Sequence, residues 1–150
     1  MNPHQLAAWI KTEHEIVADL IATLSEKAAS VPRANRQLWI DETHTAFEHL
    51  RAHLTKHMAL EEQDGYMSIV LEARPTLARE VSRLRREHGE FTGLMNRIQQ
   101  ALQEIGTEDN LLIRDVRNRI QDLLSYVDHH KQMEDILITS ALNQDIGEKD

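Results

Sequence analysis

Apolar residues recur along this chain at the three- and four-residue intervals that place them on one face of an α-helix, and they do so in four long runs. The first carries Ile10, His14, Val17, Ile21, Leu24 and Ala28. The third carries Leu77, Val81, Leu84, His88, Phe91, Met95, Ile98 and Leu102, and the fourth Val116, Ile120, Leu123, Val127, His130, Glu134, Leu137 and Ala141. The second is rougher: Trp39, Thr43, Ala46, Leu50, His53, His57 and Leu60 share a stripe, with Phe47, Leu54 and Glu61 on the adjoining face. Breaks near 31–35, 64–75 and 106–110 predict helices over 4–30, 35–63, 75–105 and 109–142. Pro75 suits a first turn, and Thr107 or Asp109 suits the cap of the last helix. The apolar stretch from Gly65 to Glu72 predicts a short helix or a packed connector. Seams of this spacing, joined by short breaks, specify an all-α domain: an antiparallel up-down-up-down four-helix bundle over 1–142, followed by a polar tail over 143–150.

Composition narrows the class of protein more than it alters the fold. A chain of 150 residues is one domain with room for a real core. Its 25 acidic against 17 basic residues disfavour a sequence-independent nucleic-acid binder. The lack of cysteine excludes disulfides, thiolate metal sites and cysteine nucleophiles. No apolar run approaches the length of a bilayer span and the N-terminal region lacks a signal-peptide core, so the expected location is cytoplasmic.

The seams are interrupted where chemistry enters. His14 and the segment His57-Met-Ala-Leu-Glu61 recur, 73 or 74 residues later, as His88 and His130-Lys-Gln-Met-Glu134. A Glu four residues after a His shares its helix face about one turn away. A carboxylate at a seam position such as 134 is costly to bury unless it is paired or bound to a cation. Counted from the turns at about 1.5 Å per residue, the four histidines differ in depth by at most ~8 Å, so they fit one layer of the core. Imidazoles and carboxylates converging twice in one small bundle form the donor set of a pair of transition-metal ions. Rival patterns fare worse. No His follows a Glu by three residues, as ferritin-like carboxylate sites require, and His-Glu-x-x-His is absent. A phosphotransfer bundle needs an exposed reactive His, whereas its best candidate, His88, lies on the apolar seam.

These residues, Glu13-His14, His57…Glu61-Glu62, Glu87-His88 and His130…Glu134-Asp135, resemble the hemerythrin-like, HHE-type cation-binding domains over about residues 10–140. The resemblance implies a non-haem di-iron centre in a four-helix bundle, its two Fe ions bridged by two carboxylates and an oxo or hydroxo group. Carried over, His14 and His57 hold one ion, His88 and His130 the other, and Glu61 and Glu134 bridge. Two departures from the oxygen-carrying members stand out. Their third helix carries His-x-x-x-His, whereas here His88 is followed by Thr92. Their fourth helix tends to use His-x-x-x-x-Asp. His129 has that spacing to Glu134, but five residues is about 140° around a helix against about 40° for His130, which also fits the seam. Loss of the fifth histidine leaves an open position on both ions instead of one, unless His53, Glu62 or water fills it. That puts reversible dioxygen storage in doubt and suits ligands such as peroxide or nitric oxide. Outer groups such as Glu87, Asp128 or Asp135 are candidates to fix the imidazole tautomers.

The leading expectation is therefore a di-iron protein, monomer or homodimer, that binds or reacts with a small diatomic (O2, peroxide or NO) in sensing, detoxification or iron handling. Its ligand pocket is expected among Ile10, Val17, Leu84, Phe91 and Val127. The alternatives are a non-redox Zn or Mn reservoir, and a metal-free interaction bundle meeting partners through apolar surface near Trp9 or Trp39. The last requires Glu61 and Glu134 to face solvent.

Overall fold

The computed structural model describes residues 2–63 and 66–142. These residues form five α-helices, α1 (Pro3–Ala29), α2 (Arg36–Gln63), α3 (Tyr66–Ala73), α4 (Ala78–Glu104) and α5 (Asn110–Leu142), with a 3-10 turn at Pro75–Leu77. Gly65 and the expected tail over 143–150 lie outside them.

Local chemistry sets the ends. Asn2 and Gln5 close a capping box at the start of α1: Gln5 N–H donates to Asn2 Oδ1 (2.8 Å) and Asn2 N–H to Gln5 Oε1 (3.0 Å), with Pro3 in the first turn. Asn35, in the left-handed region at φ 58°, reverses the chain before α2, a conformation asparagine tolerates better than most residues. Pro75 opens the 3-10 turn, so α4 begins three residues later than its proline suggests. Asp109 precedes α5 as expected, but its carboxylate accepts from Gly106 N–H (2.8 Å) and so ties the turn. The helical stop at Ala73 and the apolar face of Met67 and Val70 make the 66–73 connector a helix in its own right.

The long helices pack in a ring, α1 against α2 and α5, and α4 against the same two. α3 lies against α5, α2 and α4. Burial follows the seams, with one correction on α2. There Phe47, Leu54 and Glu61 are as buried as Trp39 and Leu50, while His53 and Leu60 are half-exposed. A helix held between two neighbours buries a stripe wider than a single heptad seam.

The apolar core falls into two clusters. The larger includes Val17, Leu24, Phe47, Leu54, Phe91, Ile120 and Val127. The smaller includes Leu6, Ile10, Met67, Val70, Val81, Leu84 and Leu137, and α3 supplies two of its members. His14 stands in sequence between Ile10 and Val17, and His88 between Leu84 and Phe91, so each helix passes from one cluster to the other through a polar residue. Among the described residues no helix is long and apolar enough to cross a membrane.

Candidate metal centre

Six polar side chains fill the layer between the two clusters. His14, His57, Glu61, His88, His130 and Glu134 are all buried, and the two carboxylates are each only 1% exposed. They are the six residues read from the sequence, and no backbone irregularity is needed to bring them together. Each long helix contributes at least one, because each crosses the layer once on its buried face.

Within the layer the donors form two clusters. His14, His57 and Glu134 offer ligand atoms within 4.8 Å of one another, and so do Glu61, His88 and His130. The clusters are joined by their carboxylates. Glu61 Oε1 meets Nε2 of His57, while its Oε2 lies 3.7 Å from Nε2 of His88. Glu134 Oε1 lies 3.2 Å from Nε2 of His14 and 3.8 Å from Nε2 of His130. Each carboxylate thus touches one imidazole from each pair. The Glu61 carboxyl also acts on Glu134, favouring its charged form.

The outward-facing Nδ1 atoms meet a second set of acids. His88 Nδ1 donates to Glu62 (3.1 Å) and His130 Nδ1 to Glu87 (2.6 Å). His14 Nδ1 lies 2.8 Å from Asp135, and His57 Nδ1 lies 3.7 Å from Glu13. The pattern is cyclic. Each outer acid adjoins an inner residue in sequence and reaches the histidine of the next helix around the ring. Glu13 beside His14 serves α2, Glu62 beside Glu61 serves α4, Glu87 beside His88 serves α5, and Asp135 beside Glu134 serves α1. Such partners fix the tautomer that leaves Nε2 free to act as a ligand. The Nε2 atoms of His88 and His130 are buried with no hydrogen-bond partner among the described residues. Buried imidazole nitrogens rarely go unsatisfied, and a cation at the layer would engage them.

Electrostatics separate the four rings. Burial depresses the imidazoles of His57 and His88, keeping both neutral. Burial also opposes the charge on His14, but Asp135 and Glu134 outweigh it and raise this ring to about 9. Glu134 is lowered well below the usual carboxylate range: burial pulls it upward, and the hydrogen bonds from Glu61 and His14 overcome that.

The remaining candidates fall outside the layer. His129 is exposed whereas its neighbour His130 is buried. His53 turns to Glu13 (2.9 Å) and stacks over His57 from outside, and Trp9 stacks on His57 with ring centroids 5.2 Å apart. Glu62 is half-exposed on the outer side of His88. Thr92 places its hydroxyl on the His88 carbonyl (3.0 Å). Asp128 pairs with Lys131 and Gln132, so of the three outer groups singled out in the sequence only Glu87 and Asp135 reach a ring. Sequence reasoning missed Glu13 in that role and gave Glu62 a different one. The signal was there in the four adjacent pairs Glu13-His14, Glu61-Glu62, Glu87-His88 and Glu134-Asp135.

A cavity of about 20 Å³, room for about one water-sized molecule, adjoins the layer. Val17, Phe91 and Val127 line it as expected, together with Leu54 and Met58. Ile10 and Leu84 sit in the smaller cluster instead. The interaction-bundle alternative loses its basis: Glu61 and Glu134 do not face solvent, and Trp39 is buried with its indole N–H donated to the Lys27 carbonyl (2.8 Å).

An all-helical domain whose core holds two histidine–carboxylate clusters is a cation-binding protein by its donor chemistry. The family model of the hemerythrin HHE cation binding domain matches residues 5–141, and the chain belongs to that family. Comparison with curated proteins and with solved structures gave no match.

Proposed function

We propose that the chain is a non-haem di-iron protein whose paired site binds or reacts with a small diatomic molecule, O2, peroxide or NO, in sensing, detoxification or iron handling. In this reading His14 and His57 hold one ion, His88 and His130 the other, and Glu61 and Glu134 bridge them. The bundle that carries the site is the antiparallel up-down-up-down arrangement, in keeping with the ring of helix contacts. One observation carries the proposal: each buried carboxylate touches one imidazole of each pair, an arrangement that separate mononuclear sites do not call for.

Bound there, the ions supply one-electron redox steps and open positions for a diatomic ligand. The chain supplies the rest. The outer acids hold the rings in one orientation. Val17, Leu54, Met58, Phe91 and Val127 give the cavity an apolar wall that excludes bulk water. Thr92, one turn after His88, commits its hydroxyl to the His88 carbonyl.

The test is metal content and the ultraviolet–visible spectrum of protein produced in iron-supplemented medium, before and after reductant. The expected result is about two irons per chain, with near-ultraviolet bands that bleach on reduction and respond to NO or O2. Zinc or manganese in their place, with no iron uptake from ferrous salt under anaerobic conditions, overturns the redox reading in favour of a metal reservoir.

Cation affinity should also depend on pH in a defined direction. His14 in the metal-free protein keeps its proton up to about pH 9, and a cation at its Nε2 must displace that proton. His57 and His88 are already neutral and add no such competition near neutrality. Zinc affinity measured by chelator competition should therefore climb about tenfold per pH unit beyond neutrality and level off near pH 9. Metal-free stability runs the opposite way. The raised His14 contributes fully below its ordinary value of 6.5, and that contribution is lost as pH passes 9. An affinity that is flat above about pH 7 would remove His14 from the ligand set.

A further inference from the structure

A second hollow, a cleft of about 380 Å³ on the α4–α5 flank, opens outside the metal layer. Its volume is that of a small-molecule pocket, and its wall is mixed, with Glu87, Glu90, Arg97 and His129 set beside Leu94 and Tyr126. Phe91 lines this cleft and also the cavity at the layer. Its ring is 4% exposed and packs edge-on against His130, with centroids 5.1 Å apart and planes at 80°. One aromatic ring therefore stands between a roomy cleft with charged side chains in its wall and a cavity with space for about one water-sized molecule.

We propose that Phe91 is the gate between cleft and cavity, and that it sets which molecules reach the layer. Passage past the ring demands loss of hydration, since phenyl edges offer nothing to hydrogen-bond. That cost is small for an uncharged diatomic and large for an anion or a hydrated cation. Leu94, half-buried and also in the cleft wall, flanks the entrance. In this proposal the motion that joins the two spaces is rotation of the Phe91 side chain, the class of movement that needs no helix displacement. The cavity has a charged neighbour as well, Lys131, whose side chain is 17% exposed, and this gives the competing route.

The gate rests on the reading of the layer as a metal centre, so two measurements are paired. In zinc-loaded protein, which is diamagnetic, dissolved O2 should enhance relaxation of the Val17 and Val127 methyl groups above that of Ile120, as it does if the cavity admits an uncharged diatomic. In ferrous protein, stopped-flow association of NO should be about tenfold faster in Phe91→Leu and about tenfold slower in Phe91→Trp, with azide slower than NO in the parent. Leu94→Trp, which narrows the cleft from outside, should slow NO as well and stands in should Phe91→Trp fail to fold. Unchanged NO rates in both Trp variants overturn the gate, as does a greater acceleration from Lys131→Ala than from Phe91→Leu. A chain that takes up no metal defeats the functional reading alone, and the rate at which xenon exchanges between solvent and the cavity of the metal-free protein, expected to be slower in Phe91→Trp, then decides the gate.

Discussion

Glu61→Ala is expected to abolish paired metal binding, lowering the content from about two ions per chain toward none. The carboxylate is 1% exposed and meets His57 on one side and His88 on the other, so its removal takes a donor from both clusters at once. Its neighbour Glu62 faces outward to His88 Nδ1, on the far side of the ring from the layer. His88→Ala removes a donor from one cluster and should spare the His14–His57–Glu134 group in part. The outer acids give a graded comparison: Glu87→Ala leaves every inner donor in place and frees the His130 ring, for which a 10–100-fold loss of affinity is the usual scale. Metal analysis and competition titration, with far-ultraviolet dichroism to verify the helices, read all three. Full stoichiometry in both Glu61→Ala and His88→Ala would sink the ligand assignment.

The second large effect is on stability. Stripping the ions should lower the unfolding midpoint by roughly 10 °C. A ligand held at a free concentration of about a thousand times its Kd stabilises the native state by about 4 kcal/mol, and each kcal/mol moves the midpoint of a domain this size by about 2–4 °C. The direction follows from the layer itself. Without a cation, the buried Nε2 atoms of His88 and His130 have no hydrogen-bond partner among the described residues, and His14 must carry its charge between the two clusters. The loss should be reversible on adding metal back. It should also deepen as pH rises from about 6.5 to about 9, the window over which the raised His14 ceases to stabilise the metal-free state. Coincident melting curves for stripped and loaded protein would show that the layer is not held by metal.

The inner six residues were legible in the sequence because their placement is a matter of helical phase. A residue's face on a helix is fixed by its distance from its neighbours along the same chain segment, so Glu134 on the seam of Val127 and Leu137 has to be buried. His130 prevails over His129 for the same reason, and the structure places the first in the core and the second at the surface. The family that these residues resemble is the one to which the chain belongs.

What lies between helices was not legible in this way. His53 has the same phase as His57, yet it points outward to Glu13, because α2 is rotated to bring Phe47, Leu54 and Glu61 inward. The position of the cavity, on the side of Val17 and Phe91 and away from Ile10 and Leu84, depends on how the two apolar clusters fill the ends of the bundle. α3 was visible as an apolar stretch, but only packing shows that it joins the smaller cluster. The ring of outer acids is the sharpest case. Each of the four outer acids is visible in the sequence beside an inner residue, while the ring it meets lies on another helix. Phase along one helix is local and is written in the spacing of its residues. The rotation and offset of one helix against the next are set by the summed packing of many side chains, and only the tertiary structure decides them.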